Sequence, residues 1–206
     1  SPSSITGTPI TVEFLAGIYS MSGPVEFEAI DSGTGEAPVV YRGRRGEDVR
    51  LTGGREITGW APAGEAGPIR VADLPGQGVT GYGELAVRGF AMSGAIAEAE
   101  LFYDDEPMRL ARWPNQGFRG VEAVDGSARV KVDTERIARW VDESDPWVFA
   151  YWHHDWADLF EPIAGIDTDA GLLIRSGDVT PRYGLTPGRA RWYGFNLRSE
   201  LDEPGE

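Results

Sequence analysis

The sequence predicts an all-β architecture carrying one short helix. Three observations lead there. The 28 glycines and 14 prolines are spread along the 206 residues rather than clustered. Between them lie short runs rich in β-branched and aromatic residues, the pattern of strands separated by turns. Within several runs the side chains alternate with period two, as half-buried strands require: Val87, Gly89 and Ala91 oppose Arg88 and Phe90, and Val130 and Val132 flank Lys131.

In chain order, the expected strands are Thr8–Leu15, Pro38–Tyr41, Glu47–Thr52, Ile69–Asp73, Glu84–Ala91, Glu98–Tyr103, Ala128–Val132, Trp147–Tyr151, Gly171–Ile174 and Ala190–Phe195. Asp104-Asp105 reads as a hairpin turn between Leu101–Tyr103 and Met108–Ala111. Asp133–Val141 breaks the pattern. Asp133 is an N-cap candidate, and Ile137, Trp140 and Val141 recur at helical spacing, so a short amphipathic helix is expected, stopped by Asp145-Pro146. Ala61–Pro68 replaces the β pattern with small and turn residues and marks a seam, while Leu201–Glu206 ends without a hydrophobic anchor.

Charge and composition exclude several classes. Lys+Arg 19 against Asp+Glu 33 leaves a net charge of −14, which repels nucleic acid and anionic membrane. No apolar run approaches the ~20 residues that cross a bilayer. Cys 0 removes disulfides, thiolate nucleophiles and Cys-based metal or iron–sulfur sites. A chain of this size buries about 70% of its unfolded surface, enough for a core without staples. The opening Ser1-Pro2-Ser3-Ser4 has neither a basic nor an apolar signal region, so an export signal is expected to be absent or removed.

Three sets of segments then resemble a known group. Ile10–Tyr19, Asp31-Ser32-Gly33-Thr34 with Ala37–Tyr41, and Gly53-Gly54 through Gly59-Trp60 resemble the first coils of bacterial right-handed parallel β-helix proteins. These are the pectin-lyase-like group of polysaccharide-degrading enzymes. Ala72–Pro75, Leu101–Tyr103 with Arg109–Asn115, and Tyr151-Trp152 with Trp156–Asp158 resemble the β-sandwich or barrel-like domain commonly inserted after those coils. Asn196-Leu197 and Glu200–Glu206 resemble the return to the β-helix. The resemblance implies strands of β-helix type over residues 1–60, an inserted β-sandwich-like domain over 61–195, and a return segment over 196–206. The later coils, where such enzymes carry their groove, are not in this sequence. The implied function is an accessory, carbohydrate-binding portion of a secreted or periplasmic, cell-surface polysaccharide-degrading protein, with polysaccharide or oligosaccharide and the rest of the β-helix as partners. Two alternatives stand beside it: a contribution to a glycoside hydrolase or polysaccharide lyase site completed by the missing coils, and a purely structural cap of the β-helix.

The aromatic residues (Trp 7, Tyr 7, Phe 8) supply the raw material for sugar stacking. Trp113-Pro114-Asn115 and Trp152-His153-His154-Asp155-Trp156 combine flat rings with hydroxyl-binding groups, which makes Trp113, Asn115, Trp152, His154, Asp155 and Trp156 the carbohydrate-binding candidates. The competing reading is that large aromatics fill the core; Trp60, Trp140 and Trp192 are assigned there. His153 and His154, the only histidines, would point to opposite faces if they lie in a strand and so would not share a metal. A polar sandwich edge is preferred for them over a general base or a metal site, and no catalytic residue is assigned. Asp167–Gly171 reads as a turn. It could bind calcium in principle but lacks the EF-hand spacing, so no cofactor is expected. Arg42, Arg44, Arg45, Arg50 and Arg55 read as a charged, protected strand edge in preference to an anionic-glycan grip.

Overall fold

The computed structural model describes residues 7–64, 67–92, 99–126, 128–176 and 181–206. Ser1–Ser4, the first residue of the Glu98–Tyr103 run and two residues of the Ala61–Pro68 seam lie outside them. The protein is mainly β, and the chain divides into two compact units, Ser1–Thr80 and Gly81–Glu206.

The first unit holds two successive turns of parallel strands. β1 (Ile10–Phe14) lies parallel to β3 (Val39–Gly43), with Ile10 beside Val39. β2 (Gly17–Ser20) lies parallel to β4 (Val49–Thr52), with Gly17 beside Val49. Charge ties the first pair together. Glu13 stands in register with Arg42, and its two oxygens take Arg42 and Arg44 at 3.0 Å each. Arg50 pairs with Asp48 at 3.2 Å. The arginine-rich stretch is thus exposed, with Arg42 and Arg44 tied across to Glu13 of β1 and Arg50 paired within its own run. β5 (Ala61–Pro62) and β6 (Arg70–Val71) close an antiparallel bridge. Trp60 corrects an expectation. Assigned to the core, it is 47% exposed, its Nε1 donating to the Ile57 carbonyl.

The second unit is built on an antiparallel sheet. Its strands are β7 (Arg88–Gly89), β10 (Arg112–Trp113), β11 (Arg119–Gly120), β12 (Val124–Asp125), β13 (Arg129–Lys131), β14 (Trp147–Tyr151), β15 (Asp158–Asp167), β16 (Leu172–Arg175) and β17 (Arg191–Phe195). The path runs β10-β17-β14-β15-β16-β13-β12, with β11 also on β17 and β7 also on β15. A separate hairpin joins β8 (Phe102–Tyr103) to β9 (Glu106–Pro107). Its loop is Asp104-Asp105 with φ of 51° and 66°, the left-handed pair that a two-residue hairpin turn demands.

β15 is the longest described strand, and the sequence reading missed it, as it missed the shorter β2, β5, β9, β10, β11 and β12; in β15 Pro162 and Gly165 disguise the pattern. Pro162 sits opposite Trp147, and the register slips between Ile163 and Gly165. That bulge is where proline and glycine are tolerated. It turns β15 from its pairing with β14 to its pairing with β16, a corner of the kind strands make when they pass between packed sheets. The expected helix forms, shorter than its pattern. α1 spans Thr134–Ala138, with the Asp133 carboxylate accepting the Arg136 N–H at 3.0 Å. Tighter bonds from Arg139 to Arg136 and Trp140 to Ile137 then end it.

β14 is buried on both faces, which is why five consecutive apolar residues form it. Val148 and Ala150 join Trp140, Trp152 and Trp192 in the larger core. Trp147 and Phe149 join Phe195 on the other face, beside Tyr151, Phe160 and Tyr193. Arginines cover these rings: Arg88 lies 3.7 Å above Phe160, and Arg112 lies 3.5 Å above Tyr193. Two buried carboxylates lock the larger core. Glu161 receives a bidentate Arg175 at 2.6 and 2.9 Å and the Trp152 Nε1–H at 2.9 Å. Glu200 receives the Trp140 Nε1–H at 2.6 Å and Arg136 at 2.7 Å, which fastens α1 to the chain's last segment.

Candidate functional site

β14 ends at Tyr151 and β15 begins at Asp158, so residues 152–157 form the loop of this hairpin. The Trp152 carbonyl accepts the Thr186 N–H, and the Ala157 N–H bonds to the His154 carbonyl, so both ends of the loop are fixed. The loop settles the two histidines differently from the strand reading. Their rings meet edge to face at 4.2 Å rather than pointing apart. His153 Nδ1 lies 2.7 Å from Thr186 Oγ1. Burial, then His154, then Arg189 hold His153 below its ordinary imidazole value.

The candidate residues of this loop separate. Trp152 turns inward: it is 2% exposed, bonded to Glu161 and lying under Arg175 at 4.9 Å. Its ring faces are occupied by packing. Trp156 turns outward and is 56% exposed. His154 stacks on it at 4.8 Å and 10°. Asp155 lies 3.0 Å from Arg191 Nε, at the start of β17.

Two distant segments complete the cluster. Phe90 stands edge-on to Trp156 at 5.0 Å, and Tyr183 does so at 5.1 Å. Phe90 is placed by the last pair of β7: its N–H bonds to the Asp158 carbonyl, and Gly89 passes so close that a Cβ there would meet Asp158 O at 2.3 Å. Tyr183 sits in a turn closed by the Gly184 N–H on the Pro181 carbonyl. Phe90 and Tyr183, but not Trp156 or His154, also line a cavity of about 200 Å³, together with Met92, His153, Asp158 and Arg182, among others. The sequence reading named none of Phe90, Tyr183 and Arg191 as a site residue. The local signals were only Gly before Phe90 and Gly after Tyr183, which mark turns without saying where the turns converge.

Trp113 lies elsewhere. It is half-buried at the edge of the larger core, 5.9 Å from Trp140 and 6.0 Å from Trp192, with Arg136 5.2 Å from its ring. The neighbouring Asn115 donates to the Asp202 carboxylate at 2.7 Å. Among the described residues, no ring contact links Trp113 to the Trp156 cluster. Asp167 ends β15 in a turn, its carboxylate taking the Ala170 N–H at 2.8 Å. Among the described residues, no group of three or more His, Asp or Glu is arranged to hold a metal ion. Among the described residues, no helix is long and apolar enough to cross a membrane.

No protein-family model matches the chain. No curated protein matches it either. A solved structure titled "Glycoside hydrolase" is similar over 96% of this chain, with a TM-score of 0.66 and 22% identity. That likeness establishes a shared fold. The chain spans 33% of the length of that protein.

Proposed function

We propose that this chain is the carbohydrate-binding portion of a larger carbohydrate-active protein. The observation that carries the reading is the surface cluster of Trp156, His154, Phe90 and Tyr183, with the Asp155–Arg191 pair beside it. Exposed rings offer flat apolar faces to the C–H face of a sugar, and neighbouring carboxylate, guanidinium and imidazole groups bond its hydroxyls. Contact of this kind holds the glycan without breaking a bond. The fold shared with a protein titled a glycoside hydrolase supports the same ligand class. The parallel pairing of β1 with β3 and of β2 with β4 supports a further partner, the remaining coils of a parallel β-helix. A secreted or cell-surface setting, where polysaccharides are met, goes with this reading.

The test is calorimetric titration of the whole chain against neutral, uronic and sulfated polysaccharides, followed by analysis for product. Saturable heat with one glycan class and no new chain ends is expected. Trp156→Ala should weaken that binding about tenfold or more, equivalent to roughly 1.4 kcal/mol. Binding of full strength in this variant, or release of product, counts against the reading.

A further inference from the structure

The orientation of the rings restricts what they can hold. Phe90 and Tyr183, the two rings of this cluster that line the cavity, stand 6.2 Å apart at 39° to each other, and Trp156 stands edge-on to both at 5.0 and 5.1 Å. Successive sugars of an extended chain lie along rings that share a plane, whereas rings inclined to one another at the rim of one small cavity suit a single sugar ring. The cavity has the matching size. At about 200 Å³ it falls below the ~300–1,000 Å³ of most small-molecule sites. Trp152 and Leu159, at 2% and 5% exposure, belong to both its lining and the core, so the cavity ends blind.

The polar lining narrows the ligand further. Among the described residues it carries one cation, Arg182, and one carboxylate, Asp158, a balanced pair with no excess charge to attract an acidic sugar. The Arg182 guanidinium lies 5.8 Å from the Phe90 ring. His153 bonds the protein through Nδ1, which leaves Nε2 for a hydroxyl.

We propose that this cavity is a chain-end subsite that takes one uncharged terminal sugar ring of a glycan. The proposal rests on the glycan-binding reading above and adds to it the part of the chain that is recognised. Recognition of an end sets binding by the number of chain termini, not by polymer length.

The test titrates the whole chain with neutral oligosaccharides of gluco, xylo, galacto and manno configuration, each from the free monosaccharide to the hexasaccharide. For the recognised sugar, affinity should change by less than about threefold along the series. The free monosaccharide should displace the hexasaccharide, and Tyr183→Ala and Arg182→Ala should each weaken every member alike. Arg182 is exposed, so its variant keeps the test open should Tyr183→Ala disturb folding. A rise of about tenfold or more with length, without displacement by the monosaccharide, overturns the chain-end assignment and leaves glycan binding standing. Binding that both variants leave unchanged overturns the location. Absence of heat with any glycan, acidic ones included, overturns the binding reading and this inference together.

Discussion

Trp152 and Trp156 occupy one short loop, yet one fills the core and the other faces solvent. Trp152 hands its only polar atom to Glu161, whose second oxygen is taken by Arg175. This buried trio is a place where a single change does most harm. Arg175→Met leaves a fully buried carboxylate without its cation, and a loss of about 3–5 kcal/mol is expected. Urea unfolding followed by tryptophan fluorescence measures it, and a loss below about 1 kcal/mol would contradict the account. In the same loop, the half-buried His153 sits below its ordinary value of 6.5 because burial, then His154 and Arg189, disfavour its charged form. As pH falls through 6.5 the unfolded chain takes up this proton before the folded chain does. Its contribution to stability is therefore present above that value and lost as pH drops toward the folded one. His153→Gln should flatten the urea midpoint between about pH 7 and pH 5 relative to the parent chain.

Elements are placed by close approach. Gly194, next to the end of β17, lies under Trp140 and Leu197, and a Cβ there would meet the Trp140 ring at 2.9 Å and Leu197 Cδ1 at 3.1 Å. Trp140 cannot swing away, since Glu200 holds its Nε1 and the Trp113 and Trp192 rings flank it. Gly194→Ala should cost about 1–3 kcal/mol by overpacking, read from the thermal midpoint. Several elements were legible in the sequence for local reasons. Trp147–Tyr151 is a run of large apolar residues, Asp133 is a cap, and Asp104-Asp105 tolerates left-handed backbone. β15 was hidden because Pro162 and Gly165 argue against a strand wherever a bulge is not foreseen. A bulge is a relation between two strands, so one strand's residues do not announce it.

At the scale of the molecule, the two units are unequal in what they bury. Both hydrophobic clusters lie between Leu85 and Leu197, whereas Ala37 is the one buried apolar residue described before Thr80. Residues 81–206 produced alone should therefore unfold cooperatively, with a denaturant slope in keeping with their size. Residues 1–80 produced alone should show no cooperative transition. A non-cooperative melt of 81–206 would contradict this division of the core.

Alternation, turn residues, the helix cap and the charge balance are properties of neighbours along the chain. They determined the β class, the single short helix, most strands and the placing of His154, Asp155 and Trp156 in one segment. The fate of each aromatic ring depends on what packs against it from far along the chain. Only the tertiary structure decided that Trp152 is buried, that Trp60 is exposed, and that Phe90 and Tyr183 join Trp156. Burial is the sum of contacts from strands that the sequence lists apart and the sheet brings together.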